Sequence, residues 1–230
     1  MAVTLPDPAD KAAVVEAMFD RIAPRYDCLN SLLTFRLDRH WRRAAIRRAR
    51  IGPGDTVVDL GCGTGDMCEL AAAAGARVIG IDFAAGMLAG FRRRGIRAGA
   101  LRADAAALPL RSASATVITS AFALRNFVSI RDVLSEAARV LSPGGRLVIL
   151  EVDAPRGALS RWGHSLYFRR VVPAVGGLLS DRAAYSYLPQ SVAYLPPADE
   201  LVNALGRSGW QKARKHRLGS GAAQLITAER

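Results

Sequence analysis

The chain has 230 residues, half of them hydrophobic and few aromatic, with three cysteines and a formal net charge of +12. That length suits one sizeable core. No apolar run reaches about 18 residues, which argues against a spanning helix, and residues 1–11 lack the regions of a signal peptide. Cys28, Cys62 and Cys68 match no zinc or disulfide spacing and are expected to pack, so no metal is expected and a cytoplasmic protein is. The positive charge, nearly all arginine, favours anionic surfaces, whether nucleic acid or lipid headgroups.

From Asp10 to Ile22, residues Val14, Val15, Met18, Phe19 and Ile22 fall on one helical stripe, and Pro24 ends it. A second helical stretch is expected from about Leu29 to Arg50, with Leu32, Leu33, Leu37, Trp41 and Ile46 on its apolar side. It also carries Arg36, Arg39, Arg42, Arg43, Arg47, Arg48 and Arg50. Those arginines form either a solvated face or a surface that docks on headgroups. Thr56 to Leu60 reads as the first strand, and a glycine-rich turn through Gly61, Gly63 and Gly65 opens into a helix from Met67 to Ala74. Val78 to Asp82 is a second strand, followed by a helix from Ala84 to Arg94. Ala98 to Arg102 is a third, ending at Asp104-Ala105, and Ala115 to Ala121 a fourth, followed by Phe122-Ala123-Leu124-Arg125-Asn126. Ile130 to Leu141 is an amphipathic helix with Val133, Leu134, Ala137 and Val140 on one side; Ser142-Pro143-Gly144-Gly145 stops it, and Arg146 to Val152 is a strand.

Strands alternating with helices make a parallel sheet whose ligand sites lie at the strand carboxyl ends. Asp59, Asp82, Asp104, Arg125 and Glu151 all fall at such ends. Residues Asp153 to Gln190 break the alternation with Trp162, Tyr167, Phe168, Tyr185 and Tyr187, interrupted by Pro173, Gly176-Gly177 and Leu178-Leu179; this reads as an inserted lid offering apolar surface to a substrate. His164 lies alone there and is expected to be a surface or packing residue. A helix near Ala198 to Arg207 and β-like segments at Trp210 to Arg217 and Ala222 to Thr227 close the chain. The expected architecture is α/β: a Rossmann-like, doubly wound, mostly parallel seven-stranded sheet with a helical N-terminal extension and an inserted lid. One domain is expected, comprising a helical cap (1–50), a cofactor-binding core (51–152), the lid (153–190) and a C-terminal helix with strands (191–230).

The loop Asp59-Leu60-Gly61-Cys62-Gly63-Thr64-Gly65-Asp66 carries the first chemical signal. Its spacing is not the G-x-G-x-x-G of a dinucleotide site, and it lacks the G-K-[ST] ending of a phosphate loop. The remaining reading is a loop that holds the amino-acid end of S-adenosylmethionine, with Gly61 and Gly63 admitting a ligand close to the backbone. Asp82, about 20 residues further on, stands where such folds present a carboxylate to ribose hydroxyls; taken alone it is also explained as a strand-end turn or helix cap. Asp104 carries the same alternative.

These segments together resemble the ubiquinone/menaquinone C-methyltransferase family of class I S-adenosylmethionine-dependent enzymes. The resemblance runs through Met18 to Asp27, Trp41-Arg42-Arg43, the glycine loop, Asp82-Phe83, Asp104-Ala105, Phe122 to Asn126, Arg139 to Arg146, Leu150-Glu151 and Ala184 to Pro189. Ala123 stands where the family usually has glycine. The resemblance implies S-adenosylmethionine as cofactor, held by Asp59, Gly61, Gly63, Thr64, Asp82, Phe83, Asp104, Ala105 and Ala121. It implies a prenylated quinol as methyl acceptor, demethylmenaquinol first, with another lipid or phenolic substrate, such as a phospholipid amine, as the alternative. A basic nucleic-acid-binding protein is the reading from a different class; no recognition motif supports it, and no nucleic-acid partner is expected. Arg125 is the expected catalytic cation beside the acceptor oxygen, and it cannot be a base. Tyr26, Asp27 and Asn126 are expected to orient the ring or relay a proton, or else to cap and pack. Peripheral contact with an anionic membrane and a homodimer complete the expected partners.

Overall fold

The computed structural model describes residues 7, 10–153, 157, 166–172, 174, 177 and 180–230. Of the residues assigned to the lid, Trp162, His164, Pro173, Gly176, Leu178 and Leu179 lie outside the described residues. Seven strands, β1 (Thr56–Leu60), β2 (Arg77–Asp82), β3 (Gly99–Arg102), β4 (Ala115–Ala121), β5 (Leu141–Val152), β6 (Gln211–Leu218) and β7 (Ala223–Glu229), form one sheet in the order β3-β2-β1-β4-β5-β7-β6. β1 to β5 pair in parallel; β7 runs antiparallel between β5 and β6. The order reverses between β1 and β4, and the crevice at their carboxyl ends is where such sheets bind ligands.

Helices α1 (Lys11–Ile22), α2 (Tyr26–Leu33), α3 (Leu37–Ala49), α4 (Asp66–Ala73), α5 (Ala85–Arg93), α6 (Ile130–Val140), α7 (Arg182–Ser191) and α8 (Ala198–Arg207) surround the sheet. One face packs Val133, Leu134, Ala137 and Val140 of α6 with Leu201 and Leu205 of α8. The other packs Ala45, Ile46 and Ala49 of α3 with Met67 of α4 and Phe91 of α5. Each large apolar side chain so buried contributes about 1.5–3 kcal/mol. α6 begins where Ser129 Oγ accepts the Asp132 amide at 3.2 Å, a cap worth about 1 kcal/mol. A third cluster joins Val15, Met18 and Ile22 of α1 to Met87 of α5 and to Tyr185 and Tyr187 of α7, so the N-terminal cap and the second half of the lid share a core.

Two expectations need correction. Val14 is 45% exposed and leaves the α1 stripe to Val15, Met18 and Ile22. The stretch from Leu29 to Arg50 is two helices: Phe35 and Arg36 take φ of 51° and 61°, the Arg36 amide bonds back to Ser31 O, and Thr34 Oγ1 lies 2.7 Å from both Asn30 O and Asp38 Oδ1. Left-handed backbone at side-chain-bearing residues costs about 1–2 kcal/mol each. No glycine or proline marks the break, so the apolar and basic periodicity runs through it unsignalled. Within α3 the arginines also divide. Arg42 is 5% exposed, lies against Asp38 and Asp66, and holds its guanidinium 5.1 Å from the Phe122 ring, whereas Arg39, Arg43, Arg47 and Arg48 are exposed.

Candidate active site

The turn after β1 owes its shape to glycine. Gly61 and Gly63 have φ of +66° and +55°, and a Cβ on Gly61 would lie 2.4 Å from Ala123 Cβ. Gly65, at φ +96°, precedes α4, and a Cβ there would overlap Ile96 and Phe91. Asp82 at the end of β2 fixes this turn, its Oδ2 accepting the Gly63 amide at 2.8 Å and its Oδ1 the Ala84 amide at 2.9 Å. Burial pushes the Asp82 carboxyl above its ordinary range, and those amide bonds pull it back. After β3, Asp104 is exposed and caps its own turn through the Ala106 amide, while Ala105 is buried.

These elements border a cleft of about 850 Å³. Of the expected cofactor residues, Gly61, Gly63, Asp82, Phe83, Asp104, Ala105 and Ala121 line it, joined by Tyr26 and Asn126 of the expected catalytic set. Asn126 is 7% exposed, and its buried Oδ1 has no hydrogen-bond partner among the described residues. Among the described residues no lysine or arginine lines the cleft. Carboxylates, an open amide oxygen and bare glycine backbone suit a ligand rich in hydroxyl and amine donors and carrying positive charge. A pyrophosphate would meet no cation there. The donor set fits S-adenosylmethionine.

Asp59, Thr64 and Asp27 do not line this cleft. Asp59 is buried behind the turn, accepting from Thr119 Oγ1 at 2.7 Å and facing Cys68 Sγ at 3.5 Å; burial raises its carboxyl to about 7 against the pull of those bonds and of Arg42. The Thr64 hydroxyl donates to Asp27, and Arg94 binds both Thr64 O and Asp66. Thr64 and Asp27 thus form an ion-paired bracket between α2, α4 and α5.

A second, apolar cavity of about 1290 Å³ adjoins the first. Leu33, Leu37, Trp41, Val172, Tyr185 and Val192 give its walls, and Tyr26 and Phe122 line both spaces. Phe122, at φ +60°, is held in left-handed backbone, its amide bonded to Leu150 O. Burial raises the Tyr26 phenol, opposed by the nearby positive charges of Arg42 and Arg125.

Arg125 lines the apolar cavity rather than the cleft. It follows β4 in a 3-10 turn, Leu124–Asn126, and is 8% exposed. Its Nη1 donates to Glu151 Oε1 and to Phe122 O, and its Nε to Ser191 Oγ at 3.1 Å; Nη2 takes no part in these bonds. Glu151 is fully buried. Its place at a strand end is plain in the sequence, whereas its pairing with Arg125 is not. Trp41 and Phe122 lie in segments that carry the family resemblance but, like Leu33, were not expected as site residues. Tyr185, read in the sequence as an aromatic of the lid and as part of the Ala184 to Pro189 resemblance but not as a site residue, places a buried hydroxyl without a partner among the described residues at this cavity, and burial lifts that phenol above its usual range.

The family model for the ubiE/COQ5 methyltransferase family matches residues 8–229. A demethylmenaquinone methyltransferase from Roseiflexus castenholzii is 41% identical over 228 residues, covering 97% of this chain and 96% of the relative. Its counterpart from Thermus thermophilus is 41% identical, covering 93% and 100% respectively. The ubiquinone/menaquinone biosynthesis C-methyltransferase UbiE of Geotalea daltonii is 37% identical, covering 96% and 98%. Among solved structures, an S-adenosylmethionine-dependent methyltransferase from Aquifex aeolicus superposes with a TM-score of 0.60 at 16% identity, covering 82% of this chain and 88% of its own. One from Mesorhizobium loti gives 0.58 at 22% identity, covering 81% and 96%. The structural likenesses establish the shared fold.

Proposed function

The chain belongs to the ubiE/COQ5 methyltransferase family, and from that premise we propose that it methylates a ring carbon of a prenylated quinol, converting demethylmenaquinol to menaquinol. It is an S-adenosylmethionine-dependent C-methyltransferase. The observation that carries the substrate reading is the pair of adjoining spaces that share Tyr26 and Phe122: a cleft whose charged side chains, among the described residues, are the carboxylates of Asp82 and Asp104, and a large apolar cavity.

When bound, S-adenosylmethionine supplies an electrophilic methyl group on a sulfonium. Gly61 and Gly63 would allow its close approach, Asp82 would accept from ribose hydroxyls, and Asp104 and the Ala105 amide would hold the adenine. Phe83 and Ala121 complete that wall. Asp59 and Thr64 act from behind by holding the turn.

A quinol carbon becomes a good nucleophile when a ring hydroxyl, with an ordinary pKa near ~10, gives up its proton. Arg125 Nη2 offers that oxygen a fixed cation inside an apolar enclosure, where such placement of charge acts strongly. Glu151 orients the guanidinium as a positioning residue. Tyr26, which lines both spaces, and Asn126, in the cleft, set the ring's orientation; Asp27, bonded to Thr64, braces α2 against the turn. The same guanidinium disfavours a cationic amine acceptor, which ranks the phospholipid amine second.

Around the cavity mouth Leu32, Phe35 and Leu37 are 52%, 73% and 47% exposed, beside the exposed Arg36 and Arg39. This edge supports peripheral contact with anionic lipid at the inner membrane face of the cytoplasm. Among the described residues no helix is long and apolar enough to cross a membrane. Residues 1–50 and 153–190 act as cap and lid of one domain, and sedimentation tests the expected homodimer. The deciding experiment incubates labelled S-adenosylmethionine with demethylated quinols and with phospholipid amines, followed by mass analysis. Label on a quinol ring carbon is expected; no transfer to any quinol overturns the reading.

A further inference from the structure

Away from both cavities, a groove of about 830 Å³ runs between the C-terminal half of α3 and the β6–β7 edge of the sheet. One wall carries Arg48 and Arg50, the other Arg214 and His216, and Arg47 and Arg217 continue the same surface in an adjoining depression. Residues some 160 positions apart in the chain therefore converge, which the spacing of arginines along one helix does not explain. Among the described residues none of Arg47, Arg48, Arg50, Arg214 and Arg217 has a carboxylate within ion-pair distance. The acid lining the groove, Glu229, is paired with Lys212 at 2.6 Å. The cationic field is felt inside: burial first, then Arg48 and Arg214, hold His216 below its ordinary value.

The end of a helix is normally the wrong place for an anion, because its last carbonyls carry partial negative charge. Here Arg146 covers them. Its Nη1 donates to Ala49 O at 2.6 Å and Arg50 O at 3.1 Å while Nη2 pairs with Asp55. The floor of the groove is thus neutralised and its rims are guanidinium groups, whose planar donor forks match phosphate oxygens two at a time.

We propose that this groove binds a phosphate-bearing anion, either free or as a lipid headgroup. It serves neither cavity and makes no demand on the methyl-transfer chemistry. The test compares wild type, the Arg48→Ala/Arg214→Ala variant and an Arg92→Ala/Arg93→Ala variant, which removes the same charge from exposed positions of α5. Each is titrated with inorganic pyrophosphate by calorimetry, and floated with phosphatidylglycerol and with phosphatidylcholine vesicles at low salt. Thermal melts check that the exposed replacements leave the fold intact. Loss of pyrophosphate affinity by about tenfold or more per guanidinium in the groove variant alone identifies a free phosphoanion. Loss of phosphatidylglycerol flotation in the groove variant alone identifies the headgroup. Equal behaviour of the two variants, or binding to neither probe by wild type, overturns the proposal.

Discussion

The cleft at the glycine turn and the apolar cavity share two residues yet are built in different ways. The cleft is built on a turn held in left-handed backbone by Gly61 and Gly63, with no room for a Cβ at Gly61, and on side chains standing at the ends of neighbouring strands. The cavity is made of side chains from α2, α3, the turn after β4, the end of β5 and α7, with Arg125, paired to the buried Glu151, on its wall. One region is fixed by local chain geometry, the other by distant packing, so they should fail differently when altered.

The sharpest contrast is the Arg125–Glu151 pair. Glu151→Ala leaves a guanidinium buried without its counter-charge and should cost about 3–5 kcal/mol of stability, read by urea denaturation. Arg125→Ala should lower quinol turnover by about 100-fold or more, with S-adenosylmethionine affinity retained. Because it also strands Glu151, it is to be compared with Arg125→Met combined with Glu151→Gln, which removes both charges. Recovery of stability with turnover still low supports the cation at the acceptor oxygen. Recovery of both reduces the pair to a structural element.

Gly61→Ala probes the other region. The new methyl would meet Ala123 Cβ in a left-handed backbone that already costs about 1–2 kcal/mol. Calorimetry should show S-adenosylmethionine affinity reduced by about tenfold or more. An unchanged affinity would break the idea that the cleft is a backbone-built site.

How far the sequence reveals each region follows from this difference. The cleft was legible because Gly61, Gly63, Asp82 and Asp104 sit at strand ends that apolar periodicity marks, and the chain returns to one crevice by topology alone. The cavity was legible only through family resemblance, in Tyr26 and Arg125. Trp41, Phe122 and Val172 belong to it through packing between segments far apart in sequence. The break at Thr34–Arg36, which turns Phe35 toward the cavity mouth, has left-handed residues without glycine. Nor could a run of arginines on α3 disclose that Arg42 points inward while Arg48 faces a basic groove.

Asp59 tests how the glycine turn is supported. Its folded carboxyl titrates at about 7 against an ordinary 3.8, so the folded state holds a proton that the unfolded chain has lost between those values. Stability contributed by the protonated form is therefore present at the acid end and declines as pH rises from about 4 to about 7. Asp59→Asn should flatten that decline: its melting temperature should exceed wild type at pH 8 and approach it near pH 4. Parallel melting curves across this range would exclude a buried proton at Asp59.

Thr64 gives the smallest effect and the cleanest division between support and contact. The resemblance implies a cofactor residue, while its hydroxyl is committed to Asp27 outside the cleft. Thr64→Val keeps the shape and removes that bond, at about 1 kcal/mol of stability. S-adenosylmethionine affinity should stay within about threefold, because the group removed faces α2. A loss beyond about tenfold, at intact stability, would move Thr64 from the bracket behind the turn into the cofactor contacts. The boundary of the backbone-built region would then lie one helix turn further out than Gly63.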